Sequence, residues 1–284
     1  MVRQVLLLES HAEKAALREG QLRSLGFHPW TCSSADDAWD YALRRLPDVL
    51  LLGPPTASLP LLQRLRVHLR TNPLAVVLEG PTGRPGLTIE PDAWLPPEAR
   101  RSALLEGLAN ALCQAERRRQ NLIRSEVCWR LESSPDVLEH FATPFAQWAE
   151  ACGLSGYAVK QLGSAVRELC ANAMEWGNHF CPECPVIVTA RLDEEKVSVL
   201  IRDTGSGFDR QHLPHAARRG DPLSHLSVRA AANLREGGFG ILMASGLVDQ
   251  LAYNDQGNEA LVVKYLPPSV THPLRHSGPL LASG

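Results

Sequence analysis

The chain has 284 residues, of which 44% are hydrophobic and 21% charged, a balance that argues for about two folded domains and against a disordered, collagen-like or coiled-coil chain. Lys and Arg number 29 against 31 for Asp and Glu, a formal net charge of -2, so no positive excess exists to neutralise a phosphate backbone and direct nucleic-acid binding is not expected. Seven cysteines, an odd number spread along the chain, suit reduced thiols in a cytoplasm. The apolar run Val5–Leu8, closed by Glu9, is too short for a secretion signal or a spanning segment, and a cytoplasmic protein without a membrane partner is expected.

From Val5 short apolar runs alternate with amphipathic stretches. Strands are expected at Val5–Leu8, Trp30–Cys32, Val49–Leu52, Ala75–Leu78 and Trp94–Leu95, with helices over Ala12–Leu25 and from Ala35. This alternation predicts an α/β class with a doubly wound parallel sheet covered by helices. Pro54-Pro55 ends the third strand, and Gly80 to Pro97 reads as loops around a last short strand.

The layout over residues 1–112, centred on Pro47-Asp48-Val-Leu-Leu-Leu-Gly53, resembles the receiver domain of bacterial response regulators. That resemblance implies an acidic pair after the first strand, an acceptor Asp after the third, Thr or Ser after the fourth and Lys after the fifth. Here those places hold Glu9-Ser10, Gly53, Glu79 and Pro96. Glycine has no side chain to phosphorylate, and a lone carboxylate makes a poor Mg²⁺ site because hard cations want several oxygens. A pseudo-receiver that docks or dimerises is expected, a homodimer being left open.

Between Arg100 and Arg130, Leu104, Leu108 and Leu112 recur at helical spacing ahead of Arg117-Arg118-Arg119. A long helix bridging to a second domain is expected, with the arginines on a solvated face.

Three segments of the second half carry chemistry. Lys160 to Asn178 predicts a helix whose core stripe is Leu162, Val166, Leu169, Ala173 and Trp176, with Glu168 and Asn172 one turn apart beside it. A carboxylate and a carboxamide so placed suit a base and a metal ligand, or simply a solvated face. Val197–Ile201 reads as a strand running into Asp203-Thr-Gly205-Ser-Gly207, where glycines permit close approach to a flat ligand and a carboxylate can accept from an exocyclic amine. Gly237-Gly238-Phe239-Gly240 precedes a helix from Ile241, and helix N-termini favour phosphates. Arg210 to Glu236 reads as a mobile lid.

In this order, and closed by a hairpin over Leu251–Asn254 and Gly257–Lys264, the segments resemble the GHKL ATPase fold, an α+β (Bergerat) sandwich shared by histidine kinases, DNA gyrase and a class of chaperones. Within it they are most similar to bacterial anti-sigma-factor serine kinases. The resemblance implies a kinase domain over 128–268, after a helical linker at 113–127 and before a disordered tail at 269–284. It implies ATP and Mg²⁺ as cofactors, Glu168 as general base, Asn172 as Mg²⁺ ligand, and Asp203, Gly205 and Gly207 around the adenine. Gly238 and Gly240 would bracket the phosphates. Implied partners are a sigma factor or similar target and a STAS-type anti-sigma antagonist carrying the phosphorylated Ser or Thr. Phe239 stands where such kinases often have Arg, and Leu261 where they frequently have Thr; the alternative is a nucleotide-gated partner-binding protein without phosphotransfer.

Two other motifs are weighed. His140-Phe-Ala-Thr-Pro144 is faintly like a histidine-kinase phosphoacceptor box, but it stands too close to Glu168 for the two-helix hairpin such kinases need, and a helix-surface histidine is expected. Cys181-Pro-Glu-Cys184, with His179 and Cys170 nearby, is one pair where structural zinc wants four ligands; a loop with reduced thiols is expected.

Overall fold

The computed structural model describes residues 3–53, 55–81, 85–207 and 239–267. The first half builds a parallel sheet from β1 (Gln4–Leu8), β2 (His28–Cys32), β3 (Val49–Leu52), β4 (Ala75–Glu79) and β6 (Ala93–Leu95), in the order β2-β1-β3-β4-β6. This is the doubly wound, flavodoxin-like order. The all-apolar runs of β1 and β3 follow from burial on both faces: Val5, Leu7, Val49 and Leu51 pack under one helical layer, while Leu6, Leu8, Leu50 and Leu52 pack under the other. Helices α1 (Ala12–Ser24), α2 (Ala35–Arg45) and α3 (Pro55–Val67) connect the strands. Ser34 caps α2 by accepting from the Asp37 amide, with Asp36 and Asp37 in the first turn and Arg44 and Arg45 in the last, the arrangement the helix dipole favours.

The expected bridging helix takes a different place. Helix α4 (Arg101–Gln120) lies on the first sheet, where Leu104, Leu108, Ala111 and Ala115 fill one side of its core. It is thus the last helix of the receiver-like half, and only residues 121–124 separate it from the next strand.

The second half is a six-stranded antiparallel sheet, β10-β11-β9-β8-β7-β5, formed by β7 (Ser125–Leu131), β8 (Val186–Leu192), β9 (Lys196–Arg202), β10 (Gln250–Tyr253), β11 (Glu259–Tyr265) and a strand from the first half, β5 (Leu87–Ile89). Strands β7, β8 and β9 alternate buried and partly exposed residues, so one face is covered. Helices α5 (Pro135–Ala151), α6 (Gly156–Asn172) and α7 (Gly240–Leu247) cover it. At its centre Trp129 packs against Phe141, Phe145 and Trp148 with ring centroids 5.4 to 6.0 Å apart. The result is an α+β sandwich, and no helix among the described residues is long and apolar enough to cross a membrane.

The halves are joined by more than the chain. Strand β5, expected to be loop, pairs Leu87 with Leu131 and Ile89 with Trp129, and the apolar core runs continuously from Leu61, Leu62 and Leu65 to Trp129 and Phe141. The Asn72 carboxamide accepts from the Glu126 amide at 2.8 Å and donates to the Glu126 carbonyl at 3.2 Å, imitating a strand neighbour. Asp92 accepts from Arg66 at 2.8 Å and from Arg118 at 2.5 Å. The arginine cluster is therefore not simply a solvated face: Arg118 is 2% exposed, and Arg117 reaches Glu126 at 2.8 Å. Burial by itself raises the Asp92 carboxyl, but Arg66 and Arg118 outweigh it and hold it below the usual carboxylate range.

Candidate functional site

In the receiver-like half, the positions where a receiver carries its chemistry are occupied by mutual contacts. Glu9 is buried and accepts from the His11 amide at 2.9 Å. Glu79 accepts from the buried Arg18 at 3.0 Å and from the Glu98 amide at 2.7 Å. At Gly53 a Cβ would come within 2.8 Å of the Leu8 carbonyl oxygen and 3.4 Å of Glu9 Oε2. The space for an acceptor carboxylate at the end of β3 is closed by backbone.

The second half differs. Ser155 caps α6 by accepting from the Ala158 amide, and Leu162, Val166, Leu169 and Cys170 bury its inner face. After Asn172 the chain continues as a π-helical turn, Ala173–Gly177. That wider turn shifts the register, so the expected stripe stops at Ala173 and Trp176 is 39% exposed. Glu168, partly exposed, has Arg167 Nη1 at 4.0 Å. Gly240 opens α7 directly against this rim, where a Cβ would lie 3.0 Å from Glu168 Oε2 and 3.3 Å from Asn172 Nδ2. Glu168, Asn172 and Gly240 thus meet at one place.

The π-helical turn also delivers Gly177 beneath Asp203. A Cβ at Gly177 would overlap the Asp203 carboxyl, and one at Gly205 would overlap the Gly177 carbonyl. Gly207 adopts φ +80, where a side chain would run into the Gln256 carbonyl. Strand β9 ends just before Asp203, whose amide donates to the Asn258 carbonyl at 3.1 Å and whose Oδ1 accepts from the Gly205 amide at 2.8 Å. Burial pushes the Asp203 carboxyl above the usual carboxylate range, opposed by the backbone amides of Gly205 and Asp203 itself. A carboxylate held half desolvated at a strand end, with backbone close on two sides, is suited to accept from an amine on a flat ring. Gly238, and the lid expected over Arg210 to Glu236, lie outside the described residues.

Sequence reasoning missed Asn178. It is buried; its Nδ2 donates to Ser133 Oγ at 2.9 Å and to the Cys184 carbonyl at 2.8 Å. Its Oδ1 accepts from the Thr204 amide at 2.9 Å and the Thr204 hydroxyl at 2.8 Å. Asn178 thereby ties the segment after the π-helical turn to the loop that presents Asp203. Only its place directly after Gly177 could have signalled this. His140 is on the exposed side of α5, Cys170 is sealed in the apolar core, and among the described residues no group of three or more His, Cys, Asp or Glu could hold a metal ion.

Residues 131–264 match the histidine kinase-like ATPase domain. Every element around Glu168, Asn172, Asp203 and Gly240 falls inside that ATPase domain, whose family implies ATP binding. The chain is 25% identical over 119 residues to the serine-protein kinase RsbW of Oceanobacillus iheyensis, covering 42% of this chain and 72% of that one. Among solved structures it is similar to a putative response regulator of Chloroflexus aurantiacus (19% identity, 40% of this chain, 99% of that one, TM-score 0.35) and to a response regulator receiver domain of Methylobacillus flagellatus (22%, 39%, 99%, TM-score 0.35). The receiver-like, flavodoxin-type fold of the first half rests on its strand order, β2-β1-β3-β4-β6.

Proposed function

We propose that the ATPase domain binds ATP with Mg²⁺ and acts as a serine/threonine protein kinase of the anti-sigma type, phosphorylating a small STAS-type antagonist and so controlling a sigma factor or similar target. The observation that carries this reading is the convergence of Glu168, Asn172 and Gly240, with Gly240 only 3.0 Å by Cβ from Glu168 Oε2. The residues present fit the ligand. A carboxamide oxygen at Asn172 is a hard donor of the kind Mg²⁺ takes alongside phosphates and water. The Gly177–Asp203–Gly205 contact leaves no room for a side chain between backbone and base. Asp203 accepts from the exocyclic amine of adenine, and Gly205 and Gly207 bring the backbone close to the ring. The amides at the start of α7, from Gly240, bind phosphate together with Gly238.

Bound ATP supplies a transferable phosphoryl group. Glu168 accepts the proton of the attacking serine hydroxyl, and the rest of the work is positioning and charge stabilisation. Phe239, placed where a cation would stand in related kinases, favours a second reading in which nucleotide gates partner capture without phosphotransfer.

Calorimetric titration of Mg-ATP and Mg-ADP into wild type and Asp203→Asn tests the adenine assignment. Binding that the substitution weakens about ten- to hundredfold is expected; a wild type that binds neither nucleotide overturns both readings. Labelled phosphate then separates them: transfer to a STAS-type protein, lost in Glu168→Gln, supports the kinase, and nucleotide binding without transfer supports the gated binder.

A further inference from the structure

The turn that follows Asn178 carries two cysteines that neither reading uses. Cys181-Pro182-Glu183-Cys184 closes as a β-turn, the Cys184 amide donating to the Cys181 carbonyl at 3.1 Å. Pro182, second in the turn, fixes its φ near the required value. A turn of this kind keeps its end Cα atoms within about 7 Å, the reach of a disulfide. The thiols already touch, Cys184 Sγ donating to Cys181 Sγ at 2.8 Å, and Cys181 Sγ donates to Glu183 Oε2 at 3.5 Å; the contacts with Cys184 and then Glu183 hold the Cys181 thiol above its ordinary value.

The turn is also fastened to the candidate adenine loop. Its Cys184 carbonyl accepts from Ser133 Oγ at 2.6 Å and from Asn178 Nδ2 at 2.8 Å, and the other end of the Asn178 carboxamide holds the Thr204 amide and hydroxyl. Ahead of the turn, His179 and Phe180 sit at φ 51 and 52, a conformation unfavourable for side-chain-bearing residues. The Phe180 amide is tied back to Met174 of the π-helical turn at 2.8 Å. A change in the turn therefore passes to Asn178 and Thr204 rather than dissipating in a loose loop.

We propose that Cys181 and Cys184 are a reversible thiol-modification site, oxidised to an intramolecular disulfide by a low-molecular-weight disulfide, and that the bond resets the Asn178–Thr204 link beside Asp203. The Cys181 thiolate attacks the small disulfide and expels one thiolate; Cys184 then attacks the mixed disulfide at Cys181 and expels the second. Two protein thiols lose their hydrogens and electrons, and one small disulfide becomes two small thiols. Cys181 and Cys184 are set apart by partial exposure and by each other's contact; burial pushes the Cys128 thiol up to about 11 and that of Cys152 up to about 12. Cys113 is exposed on α4. The consequence for nucleotide rests on the adenine reading of Asp203.

The test equilibrates the full chain, carrying Cys113→Ser, in reduced and in oxidised glutathione, traps free thiols by alkylation, and maps the 181–184 peptide by mass. Amide hydrogen exchange at Asn178 and Thr204 is read on both forms. Expected in the oxidised sample are a peptide that takes no alkyl group and is about 2 Da lighter than its unalkylated dithiol form, and a change of about threefold or more in Thr204 exchange, both absent in Cys184→Ser. A peptide that stays reduced in the oxidised buffer overturns the modification site. A disulfide that leaves Thr204 exchange unchanged overturns the coupling. Mg-ATP titration of the two forms is kept separate, because failure of both to bind counts against the adenine reading while Thr204 exchange still decides this proposal.

Discussion

Glycine does opposite things in the two halves. Gly53, at the end of β3, stands where a receiver carries its acceptor, and the ground around it is taken by the Leu8 carbonyl and Glu9, while Glu79 is locked by Arg18. In the ATPase domain Gly177, Gly205 and Gly240 stand against Asp203 and against Glu168 and Asn172, so the missing side chains leave functional groups room to converge. A glycine in place of a functional residue thus marks loss only when its neighbours have closed over the gap. Where the space is instead filled by side-chain carboxylates and carboxamides from other elements, as at Gly177 and Gly240, it lets those groups meet.

The comparison can be broken most severely at the junction that both halves share. Asp92→Asn leaves Arg66 buried without its counter-charge and Arg118 with only Glu126, 3.7 Å away, and is expected to destabilise the protein by about 3–5 kcal/mol, measured by denaturant unfolding. Because the Asp92 carboxyl is held low, its contribution is complete above the unfolded carboxylate value of about 4 and is lost as pH falls through the folded one. Wild type should therefore lose more stability in acid than Asp92→Asn does.

Asp203→Asn should separate binding from folding. Removing a charged acceptor costs roughly 1.5–3 kcal/mol of nucleotide binding, about ten- to hundredfold in Kd. Yet the Asp203 carboxyl is held high, so the folded state keeps its proton more tightly than the unfolded chain. Stability from this group is greatest below the unfolded value and declines as pH rises through the folded one; at neutral pH the ionised group is a burden. The expected outcome is an unchanged or raised Tm beside weakened calorimetric binding, and a lowered Tm would show that Asp203 is structural.

Gly53→Asp sharpens the contrast from the other side. A Cβ 2.8 Å from a backbone oxygen should cost about 1–3 kcal/mol, and acetyl phosphate should leave the variant unlabelled, because Glu79 and Pro96 stand where a hydroxyl and a lysine would be needed. Labelling of the introduced carboxylate would mean that the pocket can reopen. The smallest effect expected is on the pH profile of nucleotide affinity in wild type. Affinity should weaken as pH falls through the raised Asp203 value, since a protonated carboxyl is a poorer acceptor, and Asp203→Asn should show no such slope.

Strands with continuous apolar runs, β1 and β3, and the helix carrying Glu168 and Asn172 were legible because each element buries a face with its own period. Strand β5 was not: three residues, Leu87-Thr-Ile89, between glycine- and proline-rich segments offer too little periodicity, and what makes them a strand is the open edge of β7, whose partners Trp129 to Leu131 lie far along the chain. Arg118 read as solvated because a charge is buried only where partners such as Asp92 await it, and that pairing is invisible along the chain. A regular 3.6-residue repeat points Trp176 inward, but the turn that carries it is π-helical and turns it out. Asn178 carried no motif at all, and its role exists only once Thr204 and Cys184 are brought to it.

Strand β5 also acts as a cap. Without it β7, lined with Val127, Trp129 and Leu131, would end the ATPase sheet with unpaired backbone amides and carbonyls, the kind of edge along which separate molecules zip together. A three-residue loan from the neighbouring half covers part of that edge. Cutting the chain after residue 112 would strand the cap on the wrong fragment, and the isolated ATPase half would be prone to self-association, however well its own core is packed.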